Sequence, residues 1–401
     1  MLGIAGAVVL LAVIAALITT LLINPDRYRG NIESVVLSQT GRPLVLQGHL
    51  QLTWFPWLGM RTGAARLGNP PGGSGPDLID WQSAQVQVHL LPLLLHRKLE
   101  VARISITGAN IRLRRGPQGA GNWDDLSARL QSAGEARGAP TSGAARASLT
   151  SNATWAGLDL TNCSLDYVDE RTGGHVGLAD WQLSVGPWSI GEPLSARTSF
   201  VLHGRLAGSR AWLLPAAGVP VSLDLPRLQI QGSPLEVAAP QFSLSIANGK
   251  LDGSLDVGRD TTGQPTGSGS LHAAVPSLRQ LIRTLGIGIS LPNDPSTLGA
   301  LSLSGSWSYR DGELALEPLA VKLDATTLTG WVRRSSSNPL WTFALRADQV
   351  DFGRYMRRSK QQKPLELPRQ ALQAVHAQGT VELGRAQIDG MVLKNLRLQV
   401  Q

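Results

Sequence analysis

The sequence feature that most constrains this fold is an alternation of apolar and polar residues that recurs along most of the chain. The alternating segments are residues 85–90, 104–106, 111–113, 158–160, 222–225, 242–246, 301–303 and 321–323. Because successive side chains of a β-strand point to opposite faces, this period predicts strands with one apolar and one polar face. Asn248-Gly249 and Asp311-Gly312 lie between such segments and predict tight hairpin turns. We therefore expect a mainly β, mostly antiparallel fold.

Helical spacing is scarce after residue 23. Tyr28, Ile32, Val35 and Val36 predict a short amphipathic helix that ends at Gly41. A second short helix is predicted from apolar Leu278, Leu281, Ile282 and Leu285 opposite Arg279 and Arg283. With so few helices, the apolar strand faces need another cover. A closed sandwich, a closed barrel and an open curved sheet that takes an apolar ligand all satisfy this pattern.

The N-terminal segment indicates a membrane anchor. Residues 2–23 carry no charged side chain, and at 1.5 Å per residue a helix of this length reaches about 33 Å, enough for a hydrocarbon core of ~30 Å. A cleaved signal peptide has a shorter apolar region and a small-residue cleavage site, whereas here Ile23 runs directly into Asn24-Pro25-Asp26. We predict an uncleaved transmembrane helix over residues 1–23. Its anchor residues are Leu10, Leu11, Val13, Ile14, Leu17, Ile18, Leu21 and Leu22.

The charges beside this segment leave its orientation open. Arg27 and Arg29 follow the apolar run, and the positive-inside rule taken alone would place the body in the cytosol. A long following domain, however, can cross the membrane regardless of nearby charge.

The overall charge favours an anionic partner, because 37 Lys and Arg exceed 29 Asp and Glu and give a net charge of +8. Nucleic acid and anionic lipid both meet this condition. The compact basic cluster consists of Arg354, Arg357, Arg358, Lys360 and Lys363. Since no stripe of basic residues interleaved with stacking aromatics accompanies it, we interpret the cluster as a solvated loop and expect no nucleic-acid partner.

The residue types that carry catalysis or bind metals are sparse and scattered. A single cysteine, Cys163, excludes an intrachain disulfide framework. The seven histidines are dispersed, with no pair at the spacing of a helical zinc site. Ser268 lies between two glycines but lacks the five-residue nucleophile elbow. We therefore expect no enzymatic activity, no catalytic residue, no cofactor and no metal site.

An ordered series of short motifs follows the apolar N-terminal segment. The series is Asn24-Pro25, Gly41 with Leu44, Trp54-Phe55-Pro56-Trp57-Leu58, Gly68-Asn69-Pro70, Leu90-Leu91-Pro92-Leu93-Leu94, residues 101–111 with Gly108, and Gly121-Asn122-Trp123-Asp124-Asp125-Leu126. In its order and spacing, this series resembles the N-terminal module of the AsmA family. Members of that family are inner-membrane proteins of Gram-negative envelopes. The resemblance resumes in residues 278–291, 323–330 and 389–398.

The resemblance implies a single-pass inner-membrane protein with a periplasmic body and a role in outer-membrane assembly and lipid homeostasis. The family is similar to bridge-like lipid-transfer proteins, in which a long curved sheet forms an apolar groove. Because the family usually continues for a further β segment, we also expect C-terminal truncation. The predicted regions are an anchor (1–23), an AsmA-like β module with a juxtamembrane helix (24–130), a linker (131–150), a middle β-sheet (151–275) and an incomplete AsmA-like β region (276–401).

The leading hypothesis is a non-enzymatic groove protein that carries phospholipid acyl chains between the inner and outer membranes. Its groove candidates are Val86, Val88, Leu90, Ile104, Ile106, Ile111, Leu113, Leu301, Leu303, Leu314, Leu316, Val321 and Leu323. For each of them an ordinary protein core is an equally good interpretation. The alternative is a periplasmic scaffold that assembles or regulates outer-membrane proteins by pairing at a strand edge. The expected partners are phospholipids, the inner membrane, and outer-membrane proteins or their assembly machinery.

Overall fold

A computed structural model describes most of the chain after its N-terminal segment. The described residues are 25–53, 57–70, 72, 75–89, 100–126, 154–189, 192–206, 212–231, 236–337, 340–355, 377–388 and 390–400. The predicted anchor with its eight residues, the predicted linker and Leu90 lie outside them. Within the described ranges, no helix combines the length and the apolar character needed to cross a bilayer.

The chain divides into two compact units, Met1–Gly218 and Val219–Gln401. The described part of unit 1 begins with a 3-10 helix, Pro25–Tyr28, followed by helix α1, Arg29–Thr40. Its strands are β1 (Leu44–Leu46), β2 (Leu50–Thr53), β3 (Trp57–Thr62), β4 (Ala65–Leu67), β5 (Ile79–Trp81), β6 (Ser83–His89), β7 (Glu100–Thr107), β8 (Asn110–Arg115), β9 (Thr154–Trp155), β10 (Leu158–Asp169), β11 (Gly174–Val185), β12 (Leu194–Leu206) and β13 (Trp212–Leu213).

Helix α1 covers a small closed core in unit 1. Leu44, Leu46, Leu50 and Ala65 are buried there, and Ile32 and Val36 of α1 pack against them, as do Leu67 and Trp81. The helix ends at Gly41, whose left-handed backbone (φ 71°) lets its N–H bond to the carbonyl of Leu37. The predicted helix is therefore confirmed. Its apolar side is narrower than predicted, because Tyr28 and Val35 are 53% and 57% exposed.

The rest of unit 1 is organised around β10. Strands β7 and β8 both run parallel to β10, and between them the chain turns at Gly108, where φ is 64°. On its other side β10 pairs antiparallel with β11, which in turn pairs antiparallel with β12.

Unit 2 contains ten strands and two short helices in its described residues. The strands are β14 (Val219–Gln231), β15 (Glu236–Ile246), β16 (Gly249–Arg259), β17 (Pro265–Val275), β18 (Leu301–Arg310), β19 (Glu313–Leu323), β20 (Thr326–Ser335), β21 (Trp341–Asp351), β22 (Ala377–Ile388) and β23 (Met391–Val400). Helix α2 (Leu278–Thr284) follows β17, and α3 (Phe352–Tyr355) follows β21. Each strand pairs with the next one along the chain, always antiparallel except for β21 with β22. The prediction of a mainly β, mostly antiparallel fold is confirmed.

The local signals of unit 2 are partly confirmed. Asp311 and Gly312 form the predicted turn, both with positive φ. At the β15–β16 hairpin, however, Ile246 pairs with Gly249, so the turn comprises Ala247 and Asn248 and the positive φ falls on Ala247. The predicted turn was therefore one residue late. If the β15–β16 register shifted by one residue to place Asn248-Gly249 in the turn, every side chain of one strand would point to the other face. The apolar pattern of the strands therefore decides the register, against the turn preference of Asn-Gly.

The apolar side of unit 2 has only partial cover. Along β18, Leu301 and every second residue after it are half-buried, whereas Ser302 and its alternates are exposed. Strands β14 and β23 are not paired with each other in the described residues, which excludes closure of these ten strands into a barrel. The described strands of this unit form one open layer, and neither a closed sandwich nor a closed barrel is seen among them.

Candidate functional site

A continuous row of apolar side chains crosses all ten strands of unit 2. In register from β14 to β23 it consists of Leu223, Leu244, Leu251, Ala273, Leu303, Val321, Leu328, Ala347, Leu383 and Leu396. Directly paired residues of a sheet share a face. We call this row, with the apolar residues and glycines that share its side of the same strands, the apolar face.

Most of the row is only half-buried. Ala347 and Leu383 are 2% and 4% exposed and belong to a small core with Ala386, which Leu328 and Leu396 border. The other eight members of the row are all partly exposed. In a sandwich the second sheet would cover such side chains. Here the described residues leave the apolar face partly open, which gives it room to bind an apolar ligand.

The six groove candidates of unit 2 all lie on the apolar face. Leu301 pairs with Leu323 and Leu303 with Val321. On the same two strands Leu316 pairs with Trp307, and Leu314 pairs with Tyr309. All six are half-buried. The structure thus brings them together on two neighbouring strands, and their role in lipid binding stays a prediction.

The groove candidates of unit 1 lie along β6, β7 and β8. Val86, 38% exposed, pairs with Ile104. Four half-buried candidates pair with β10, as Ile104 with Leu158, Ile106 with Leu160, Ile111 with Leu165 and Leu113 with Tyr167. Val88 pairs with Val101 in the backbone register, and the structure does not describe its side chain. None of these candidates belongs to the closed core under α1.

Three glycines occupy positions of the apolar face where the alternating pattern predicts apolar side chains. Gly253, Gly305 and Gly330 lie in the next row of the face and pair with large residues. A Cβ added to Gly253 would come within 2.9 Å of the Phe242 ring and closer still to the backbone of the next strand. The signal in the sequence is a glycine at a position where strand alternation calls for an apolar residue.

A polar pocket of about 250 Å³ lies at one end of β20, β21 and β22. It is lined by Ala325, Thr326, Gln349, Val350, Asp351, Arg354, Tyr355, Arg385 and Gln387. Of the predicted basic cluster, Arg354 lies in this pocket and is half-buried, so the interpretation as a solvated loop was wrong for that residue. The other four cluster residues fall outside the described part of the chain.

Two polar contacts fix the wall of the polar pocket formed by α3. The Tyr355 hydroxyl donates to Asp324 at 2.5 Å. Burial, together with this hydrogen bond, raises the pKa of Tyr355 to about 12. Burial also raises the pKa of Asp324, but hydrogen bonds from Tyr355, Gly299 and Leu298 outweigh it and hold the pKa below its usual value.

Arg354 forms the second contact, through its Nε, with Asp294 at 3.2 Å. Its Nη2 donates to the Ser296 hydroxyl at 2.9 Å. Hydrogen bonds from Ser296 and then from Arg354 lower the pKa of Asp294. Asp294 therefore stays ionised at neutral pH and holds Arg354 in place. In the described ranges, no three His, Cys, Asp or Glu side chains are grouped closely enough to hold a metal ion.

A buried arginine in unit 1 explains two of the short sequence motifs. Arg42, next to Gly41, is 0% exposed and forms a salt bridge with Asp125. It also donates to the carbonyls of Asn122 and Gly68. Burial raises the pKa of Asp125, but the hydrogen bond and charge of Arg42 outweigh this effect, so the net shift is downward. The Gly121–Leu126 motif thus closes the first module through a contact that spans 83 residues.

Comparison with known proteins bears on the family of this chain. Over 106 residues, or 26% of its length, the chain is 33% identical to "Protein AsmA" of Escherichia coli (strain K12). The matched part covers 16% of that relative. No solved structure is similar enough to this chain to count as a match. The sequence model of the AsmA family matches residues 1–263, more than half of the chain, and the chain therefore belongs to the AsmA family.

Proposed function

We propose that this chain is a membrane-anchored, non-enzymatic protein whose apolar face carries phospholipid acyl chains between the inner and outer membranes. The observation that carries the proposal is the row of ten apolar side chains across unit 2, of which eight are partly exposed. Soluble proteins rarely expose large contiguous apolar patches unless these bind a partner.

The size of the transport problem explains why such a face is useful. At ~0.8 kcal/mol per methylene, two acyl chains with about 30 methylenes cost on the order of 24 kcal/mol to expose to water. An apolar sheet face that contacts these chains removes much of this cost without specific polar contacts. The headgroup can then stay hydrated at the open side.

Membership of the AsmA family supports a role in outer-membrane assembly or lipid handling. An inner-membrane location with the body in the periplasm is part of the same proposal. It depends on residues 2–23, which carry no charge and are long enough to span a bilayer.

The test is to place a carboxylate on the apolar face. We expect Leu303→Asp to weaken binding of a pyrene-labelled phospholipid by about tenfold or more, because a charge beside the acyl chains would be desolvated without a partner. Ser304→Asp is the matched control, since Ser304 is the next residue on β18 and lies exposed on the opposite face. It should change binding by less than about twofold.

Circular dichroism and mass spectrometry of co-purified phospholipid complete this test. If Leu303→Asp unfolds the body instead, the residue belongs to a closed core and the groove proposal is wrong. If the folded variant binds lipid as well as the wild type does, the apolar face does not contact acyl chains.

The second candidate function is a scaffold for outer-membrane proteins, and the last strand favours it. Strand β23 exposes Met391, Val392, Leu393 and Leu398 by 43–65%, and in the described residues it pairs with β22 alone. A strand with a free edge and exposed apolar side chains can add a strand of another protein. Cross-linking from β23 to β-barrel precursors, with no phospholipid bound to the purified protein, would favour this function over lipid transfer.

A further inference from the structure

The polar pocket borders the apolar face at the ends of β20, β21 and β22. On each strand the residue two positions beyond the apolar row has a polar side chain that lines the pocket. The pairs are Leu328 and Thr326 on β20, Ala347 and Gln349 on β21, and Leu383 and Arg385 on β22. Val350 joins the two surfaces, because it lines the pocket and also packs against the small core of Ala347, Leu383 and Ala386.

The pocket is too small for acyl chains and suits a compact polar group. Its volume of about 250 Å³ is below the ~300–1,000 Å³ of sites that take drug-sized ligands. Its lining contains two guanidinium groups and one carboxylate, that of Asp351. Because Arg354 is paired with Asp294, Arg385 is the lining guanidinium that remains without an ion pair in the described residues.

The two arginines of the pocket differ in their contacts. Arg354 is fixed by Asp294 and Ser296. Arg385 is exposed, pairs with Gln349 in the strand register, and has no ion-pair partner in the described part of the chain. A guanidinium group offers planar paired donors that match the oxygens of a phosphate. Arg385 is therefore free to bind an anion at the polar end of the apolar face.

We propose that the polar pocket binds the phosphodiester of a phospholipid headgroup, with Arg385 as its main contact, while the acyl chains lie on the adjoining apolar face. This inference rests on the proposed function and adds a headgroup site to it. Gln387, on the same strand face as Arg385, also lines the pocket. Its amide is a second donor for the phosphate.

Isothermal titration of the full chain in amphipol with dihexanoylphosphatidylglycerol tests the site. Arg385→Gln removes the guanidinium and should weaken binding at least about tenfold, the loss expected for a charge-assisted hydrogen bond. Arg385→Lys keeps the charge without the paired donors and should lose less. The matched control is Arg310→Gln, because Arg310 is exposed on the polar face of β18, and it should leave the affinity unchanged.

Three further probes separate a headgroup site from a site for free phosphate. Dihexanoylglycerol carries chains but no phosphate, and its affinity should not change in Arg385→Gln. Glycerophosphoglycerol and inorganic phosphate carry phosphate but no chains, and both should bind at least about tenfold more weakly than the lipid. If either binds as tightly as the lipid and depends on Arg385, the pocket is a site for free phosphate and the headgroup assignment is wrong.

The outcomes also distinguish failure of this site from failure of the proposed function. If Arg385→Gln binds the phospholipid as well as the wild type does, while Leu303→Asp weakens dihexanoylglycerol, the headgroup site is wrong and the acyl-chain face stands. If dihexanoylglycerol does not bind the wild type at all, the proposed function fails. Circular dichroism confirms that Arg385→Gln is folded, which its exposed position leads us to expect.

Discussion

At the residue scale, the contact between Tyr355 and Asp324 joins α3 to the turn between β19 and β20. Burial and the hydrogen bond to Asp324 raise the pKa of Tyr355 to about 12, above an ordinary value of about 10. The fold therefore favours the neutral phenol. Its stabilisation is fully present below about pH 10 and is lost as the pH rises towards 12. The lowered pKa of Asp324 has its effect in the acidic range. There the stability that its carboxylate contributes is lost as the pH falls below about 4.

We predict that Tyr355→Phe abolishes a late phase of phenol ionisation near pH 12. The variant also lacks the loss of stability between about pH 10 and 12, because it has no phenol to ionise. Absorbance at 295 nm during an alkaline titration measures the first effect, and chemical unfolding at each pH measures the second. Tyr28→Phe is the control, because Tyr28 is 53% exposed and far from Asp324 in the chain. A late phase that persists in Tyr355→Phe would contradict this assignment.

Single residues differ in how far the sequence predicts their roles. The alternation places Leu303 on an apolar face and Ser304 on a polar one, and the structure agrees. The pairing of Arg42 with Asp125 spans 83 residues, and no local pattern reports a contact between two such distant charges. Arg385 likewise reads as an ordinary basic strand residue, because its place beside Gln349 depends on the β21–β22 register.

At the element scale, the strands of unit 2 depend on glycines where neighbouring backbones approach closely. Gly330 in β20 has a φ of 147°, a region that favours glycine, and a Cβ there would lie 2.0 Å from the Ala344 carbonyl oxygen. A side chain at these positions would collide with the backbone of the neighbouring strand and push the two strands apart. The glycines therefore set the spacing of the larger side chains around them.

We predict that Gly330→Ala lowers the free energy of unfolding by about 1–3 kcal/mol, through backbone strain and crowding against β21. Gly288→Ala is the matched control, because Gly288 is exposed and has no atom within 4 Å of its added Cβ. Its effect should stay within about 0.5 kcal/mol. Urea unfolding followed by tryptophan fluorescence gives both values. Equal stability of the two variants would show that β20 does not need glycine at position 330.

Elements were predictable where one local signal dominated. The helix ended by Gly41 and the Asp311-Gly312 turn follow from residues adjacent in sequence. The Asn248-Gly249 turn was misplaced by one residue, because the register of the flanking strands decided it. The parallel pairing of β21 with β22 joins strands separated by residues 352–376, and an alternating pattern carries no information on strand direction.

At the scale of the whole molecule, we predict that the body lies on the periplasmic side of the inner membrane. Because the chain has a single cysteine, labelling of an introduced cysteine can test this prediction. Cys163 is the sole cysteine of the chain and is 1% exposed, so the wild type should react slowly with a maleimide. Ser304→Cys would add an exposed thiol on the polar face of β18.

We predict that a membrane-impermeant maleimide labels Ser304→Cys in spheroplasts of a Gram-negative host at least about tenfold faster than the wild type, since buried thiols are inert. Labelling that requires rupture of the inner membrane would place the body in the cytosol, the side that Arg27 and Arg29 favour under the positive-inside rule. Leu303→Cys, on the half-buried apolar face, should react more slowly than Ser304→Cys.

By itself, the sequence determined that the chain is mainly β, that its strands each have an apolar and a polar side, and that it resembles the AsmA family. These properties depend on local periodicity and on the order of short motifs, which adjacent residues carry. Only the tertiary structure decided that the apolar sides of ten strands form one partly open face, and that this face ends in a polar pocket containing Arg385. The physical reason is that burial and strand register depend on which distant segments pair, and a side chain's periodicity is the same whether its face is covered or open.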